Sequence, residues 1–173
     1  MISDRDEDGA PAKAEGGRKA SSARGMARLA AVQALYQMDV ARTGARAVIE
    51  EFTLHRFRGE AEKVHYDKTD EDFFKALVLG VVEKQRDIDP LVGAHLASGW
   101  RLARIDSILR AILRAATFEL QERRDVPVKV IINEYVDIAH AFFGGEEPRV
   151  VNGILDAIAR AIRSGEIKDR VHG

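Results

Sequence analysis

Cysteine is missing from all 173 positions, which removes disulfides and thiolate metal sites from consideration. No stretch alternates apolar and polar residues with strand composition, and the four prolines are sparse, Pro127 and Pro148 falling at helix starts. The N-terminus, MISDRDEDGA, is acidic and carries no apolar leader core, and no later apolar run approaches membrane-spanning length. A soluble cytoplasmic protein with no membrane partner is therefore expected. The five histidines (His55, His65, His95, His140, His172) have no metal-ligand spacing and stand in no nucleophile motif. With no P-loop and no GxGxxG, the expectation is neither catalysis nor a cofactor nor a metal, and the histidines read as surface or partly buried side chains. No internal repeat of fixed period is visible.

What the chain does have is a local imbalance of charge. The net charge is only −1, so affinity for nucleic acid must come from a local surface. Residues 1–12 sum to −3, and residues 13–28, with Lys13, Arg18, Lys19, Arg24 and Arg28 against Glu15, sum to +4. An acidic head that folds back on this basic segment as a mimic of RNA is one expectation. Hydrophobic residues make up 46%, ordinary for a globular protein and enough for one core, built as one domain or two half-domains. Residues 1–20, rich in Gly, Ala, Ser and charge, read as a disordered tail, residues 21–165 as a helical domain and residues 166–173 as a C-terminal tail.

Apolar spacing of three and four predicts an all-α bundle of about six or seven helices, arranged as two small packed bundles. A first helix runs from Ser21 or Ser22 to about Ala41, with Leu29, Val32, Tyr36 and Val40 as its buried stripe and Arg24, Arg28 and Arg42 on a solvent-facing edge. A second spans about Ala45 to Arg58, with Val48, Ile49 and Phe52 inward. Residues 59–70 read as a loop. Thr69 and Asp72 resemble a capping box opening a third helix, which Asp89-Pro90 ends or kinks. Trp100 reads as a core anchor. Asp106 caps a helix whose apolar face includes Ile108, Leu109, Ile112, Leu113 and Leu120.

The densest pattern is Asp125 to Asp156, two amphipathic helices around a Gly-rich turn. Val128, Ile131, Tyr135, Ile138 and Phe142 share one face of the first, and Val151, Ile154, Leu155, Ile158 and Ile162 one face of the second. Gly144-Gly145 is expected to stop the first helix through a left-handed cap. Asn133 and Glu134 either face solvent or satisfy buried backbone groups at a helix junction. Gly153 inside the second helix costs roughly 1 kcal/mol relative to Ala, so it needs a reason, either close helix packing or close approach of RNA.

DVPVKVIINE at residues 125–134, AFFGGEEPRVVNGILD at 141–156 and AVQALYQMDV at 31–40 stand in an order and spacing that resembles the NusB family of bacterial transcription antitermination factors. The resemblance covers roughly residues 22–162. It implies a non-enzymatic factor that binds the boxA segment of ribosomal RNA leader transcripts together with NusE, a small-subunit ribosomal protein, within an RNA polymerase complex that resists termination. Both monomers and homodimers occur in such a family.

The resemblance places an RNA-binding segment on Arg24 and Arg28, with Gly25 and Met26 where further arginines are frequent and with Arg18 and Lys19 upstream as compensation. The second part of that surface falls on Glu146, Arg149, Val150 and Asn152. Val150 stands in place of a frequent Phe, which leaves Phe143 as the replacement for stacking on bases. The NusE contact falls near Tyr36 and on Leu109, Arg110 and Arg114, Leu109 standing where a Glu is common. Two rival readings are a pure protein-interaction bundle with a merely solvated basic edge, and an accessory domain of the kind fused to ribosomal RNA cytosine methyltransferases.

Overall fold

The computed structural model describes residues 22–58 and 69–166. The expected tail at 1–20 with Arg18 and Lys19, most of the expected loop at 59–70, and nearly all of the expected tail at 166–173 lie outside the described residues. Among the described residues the bundle has six α-helices: α1 Ala23–Ala41, α2 Ala45–Glu51, α3 Glu71–Ala94, α4 Ser107–Glu122, α5 Val128–Phe142 and α6 Glu147–Ile162. Among the described residues there is no strand, and no helix is long and apolar enough to cross a membrane.

The central element is α4. Of residues 109–120, only Arg110 and Arg114 are not buried, because α1, α3, α5 and α6 all pack around this helix. A helix covered nearly all round belongs in the middle of a core. It starts where the Asp106 carboxylate accepts the Ile108 and Leu109 amides at 2.8 and 3.1 Å, as its sequence predicts. Ser22 caps α1 by accepting from the Gly25 amide.

The buried stripe of α1 differs from the expected one. Val32 is fully buried, but Leu29 is only half-buried, and Tyr36 and Val40 are exposed. The helix docks instead through Ala27, Ala30, Ala31, Ala34 and Leu35. Small side chains let helix axes approach, so this face buries its area through proximity rather than bulk.

Other termini also depart from expectation. Asp70, not Thr69, caps α3, accepting from the Phe73 amide at 3.0 Å. Pro90 lies inside α3 without ending it. Its missing N–H leaves a carbonyl one turn back unpaired, and both Pro90 and Arg86 are exposed, where water can satisfy it. Phe143 closes α5 in an extended conformation, and neither Gly144 nor Gly145 adopts a positive φ. Phe142 and Trp100, both expected in the core, are 37% and 48% exposed. After α2, the chain makes one π-helical turn, Phe52–Arg56, and Phe52, Phe57 and Phe74 meet with centroids 5.0–6.0 Å apart.

At the far end Arg163 acts as a second cap for several elements at once. Its guanidinium, 3% exposed, donates to the carbonyls of Glu119, Leu120, Arg123 and Val126 at 2.7–3.0 Å. These carbonyls lie at the C-terminus of α4 and in the turn after it, those of Glu119 and Arg123 also accepting the Arg123 and Val126 amides, and a cation there meets the helix dipole favourably. Arg163 further donates to Glu166 Oε2, while Glu166 Oε1 accepts the first amide of α5, Val128 N, at 2.9 Å. Glu166, placed by sequence at the start of a tail, thus helps hold the domain together.

Two glycines make opposite predictions. A Cβ on Gly80 would sit 2.2 Å from the Phe118 ring, whereas one on Gly153 meets nothing within 4 Å. Gly80→Ala is expected to destabilise by roughly 1–3 kcal/mol through overpacking, and Gly153→Ala to stabilise by up to about 1 kcal/mol. Urea unfolding of the two variants beside the parent measures both signs.

Candidate nucleic-acid interface

At the start of α1, Arg24 is exposed. Its guanidinium lies 4.9 Å from the centroid of Phe73 and 4.0 Å from an Asp70 oxygen. The Asp70 amide donates to the Ala23 carbonyl at 3.1 Å, so the first turns of α1 and α3 are pinned together. Arg24 is therefore held at a fixed end of the bundle.

One turn later, Arg28 corrects the sequence expectation. It is 2% exposed and lies in the seam between α1, α4 and α5. Its Nε and Nη2 donate to both oxygens of the buried Glu119 at 2.8 and 2.9 Å, and Tyr135 donates its hydroxyl to Glu119 Oε2 at 2.5 Å. Four residues along a helix rotate a side chain by about 40°. That suffices to carry Arg28 from the rim into the interior, where Glu119 meets it. A guanidinium buried and paired in this way is out of reach of a phosphate in solution.

The electrostatics follow from this packing. Burial pulls the Arg28 pKa down, but the bond to Glu119 together with the charges of Glu119, Tyr135 and Glu134 outweighs it, and the net shift is upward. Burial, followed by the Glu119 charge, pushes the Tyr135 phenol well above its ordinary range. Burial likewise pushes the Glu134 carboxyl up, against the pull of Arg28, 4.0 Å away. Glu134 also faces α1, since a Cβ on Gly25 would lie 3.3 Å from its Oε2. Of the polar pair on α5, Asn133 faces solvent, and Glu134 lies at the junction with α1, where it meets the Arg28 side chain rather than backbone groups.

The second region surrounds the α5–α6 turn. Glu146 and Arg149 pair loosely at 3.7 Å, with the Arg149 side chain 86% exposed. Asn152 is exposed, whereas Val150 and Phe143 are half-buried and pack against the core. An open groove of about 510 Å³ runs here, lined by Val136, His140, Gly145, Glu146, Pro148, Arg149 and Asn152. Sequence reasoning did not single out His140. Its signal was positional, seven residues after Asn133 on the outward face of α5 and just ahead of the glycine turn. Gly153 is exposed on α6 with open space above it, so close helix packing is not its reason.

The two regions lie on either side of α5. Glu134 touches α1 at one edge of this helix, and Val136 and His140 line the groove with α6 at the other. Exposed Lys129, Asn133 and Asp137 fall between. Arg24 and Arg149 thus stand on the two helices that flank α5, Arg24 on α1 and Arg149 on α6.

The expected partner residues divide differently. Leu109 is buried. Arg110 donates to Asp39 at 3.0 Å and to the Leu102 carbonyl at 3.0 Å, and Arg114 holds both oxygens of Asp89 at 2.9 Å. These arginines tie α4 to α1 and α3. Tyr36 alone of the set stands open, 38% exposed. It lines an apolar cleft of about 320 Å³ with Val32, Val40, Ile108 and Phe142.

The family model described as "NusB family" matches residues 26–160. The chain belongs to the NusB family. The transcription antitermination protein NusB of Rhizobium rhizogenes is 53% identical over 150 residues, 87% of this chain and 93% of that protein. NusB of Sinorhizobium fredii is 54% identical over 145 residues, 84% and 91% respectively. Among solved structures, T. maritima NusB superposes with a TM-score of 0.70 at 28% identity, covering 84% of this chain and 96% of that one. The NusB-like helical bundle read from the sequence is therefore the fold, and transcription antitermination is the function of the family. Its defining phrases fall on α1, α5 and the α5–α6 turn, the elements that flank the Arg28–Glu119–Tyr135 seam.

Two variants test that seam. Arg28→Ala strands Glu119 in the core and is expected to cost roughly 3–5 kcal/mol. In the parent the contribution of Tyr135 is fully present below its unfolded-state pKa near 10. It is lost as pH rises toward the higher folded-state value, because only the unfolded chain can then ionise the phenol. Stability relative to Tyr135→Phe should therefore fall by up to about 1.4 kcal/mol per pH unit above pH ~10, measured by chemical denaturation across pH.

Proposed function

We propose that this NusB-family chain binds the boxA segment of ribosomal RNA leader transcripts as single-stranded RNA, with NusE as its protein partner, and so helps an RNA polymerase complex resist termination. The observation that carries the reading is that Arg24 and Arg149, on the two helices flanking α5, are both exposed, with the open groove of His140 and Asn152 beside Arg149. Guanidinium groups supply the charge and geometry that phosphates require, and unstacked bases need polar edges and ring faces. Arg18 and Lys19, upstream of Arg24, add charge to the same end of α1 in this reading, while Arg28 serves by holding that end in place. NusE is assigned to the apolar cleft at Tyr36, on the side where α1 meets Ile108 and Phe142.

Fluorescence anisotropy with labelled boxA RNA and a scrambled control, with and without NusE, tests the assignment. Preferential boxA binding that NusE tightens, with a log–log salt slope near −0.7 per phosphate, is expected. Arg24→Glu and Arg149→Glu should each weaken RNA binding by roughly ten- to a hundredfold, the worth of a charge-assisted contact, without loss of helicity. Tyr36→Ala should weaken NusE capture and leave direct RNA binding unchanged. Equal, weak binding to both RNAs with NusE binding intact would make the chain a protein adaptor instead.

A further inference from the structure

The α5–α6 groove has the features of a pocket for a single base, and its principal ring belongs to a residue outside the expected site. Single-stranded RNA is held by rings that stack on bases and by side chains that hydrogen-bond to base edges. Phe143, the residue expected to stack, packs partly buried against the core, and Val150, in place of a frequent Phe, is aliphatic and packs likewise. The groove does hold an exposed ring, His140 in the last turn of α5. Facing it from α6 is the exposed amide of Asn152. Neither side chain has a hydrogen-bond or ion-pair partner among the described residues. Arg149 lines the same groove and is held only by its loose pair with Glu146.

We infer that this groove binds one nucleobase of the RNA, stacked on the His140 imidazole and read at its edge by Asn152, while Arg149 holds an adjoining phosphate. The inference rests on the RNA-binding reading above and adds the base contact to it. The volume, about 510 Å³, falls in the range of roughly 300–1,000 Å³ typical of small-ligand sites. The floor is apolar on one side, with Val136 and Pro148, as a flat ring requires. The side-chain amide of Asn152 offers both donors and an acceptor, so it can pair with a base edge in a way a cation cannot. Exposed Gly153, one residue on, leaves the α6 backbone bare where the strand leaves the pocket.

The test is binding of boxA RNA, with 2-aminopurine replacing each adenine in turn, to the full chain and to His140→Ala, His140→Phe, His140→Lys and Asn152→Ala. All four substitutions are at exposed positions, so thermal melts should be unchanged. His140→Ala should weaken binding by about 5- to 100-fold, the worth of one stacked base. His140→Phe should restore it, His140→Lys should not, and one 2-aminopurine position should be quenched by the parent but not by the Ala variant. Asn152→Ala should reduce the preference for boxA over the scrambled RNA. If His140→Ala binds as the parent does while Arg149→Glu is impaired, the base pocket is wrong and the RNA-binding reading stands. If His140→Lys rescues as well as His140→Phe, the contact is electrostatic and the stacking assignment falls. If the parent binds neither RNA, both readings fall together.

Discussion

Glu119 is the constraint on which the packing of this protein depends. A carboxylate at the centre of the core must have its oxygens satisfied, and here the donors come from two other helices. Arg28 on α1 takes both oxygens and Tyr135 on α5 takes one of them again. The pair adds modestly to net stability, because desolvating two charges offsets most of their attraction. Its effect on arrangement is larger. Sliding α1 or α5 by one turn against α4 would leave a buried charge unpaired, so the cluster disfavours other registers even where the apolar faces would tolerate them. The alanines of α1 need this help, since a smooth small-residue face does not fix register well by shape.

Arg163 secures the backbone at the C-terminal end of α4, where Arg28 secures the Glu119 side chain. It closes four carbonyls and, through Glu166, the first amide of α5. Between them, the two arginines connect α1, α4, α5 and the end of α6 by directional bonds rather than by contact alone. The candidate interface is built on the helices so fixed. Arg24 stands one turn before Arg28, His140 one turn and a half beyond Tyr135, and Arg149 at the start of the helix that Arg163 closes. Recognition side chains can remain exposed and loosely paired because their backbones are held from within.

Much of the fold could be read from spacing. Helix positions, the Asp106 and Ser22 caps and the apolar faces of α5 and α6 are local properties, written within one or two turns of sequence. Errors arose where the deciding partner was remote. Tyr36 and Val40 have the right spacing for α1's buried face, but the alanine face was preferred by the neighbours it meets. Trp100 is large and apolar, yet sits in the connection between α3 and α4 with about half of its surface exposed. Gly144 and Gly145 suggested a left-handed cap, although Phe143 had already turned the chain by adopting an extended conformation. Pro90 reads as a helix breaker, but on an exposed face water takes over the lost bond.

The same distinction separates the arginines of the candidate site. Arg24 and Arg28 are indistinguishable by local sequence, both basic and one turn apart on a helix near a basic segment. Their roles diverge because Glu119, 91 residues from Arg28, lies under one and not the other. Arg110 and Arg114 are likewise claimed by Asp39 and Asp89, 71 and 25 residues away. Arg149 has only Glu146, three residues off and equally exposed, a pair worth so little in water that a phosphate can displace it. Whether an arginine holds the fold or meets a ligand is thus decided by how fully partners on other elements take up its donors. That is a tertiary property, which is why a basic stretch in the sequence marks where an interface can form but not which of its side chains remain free to form it.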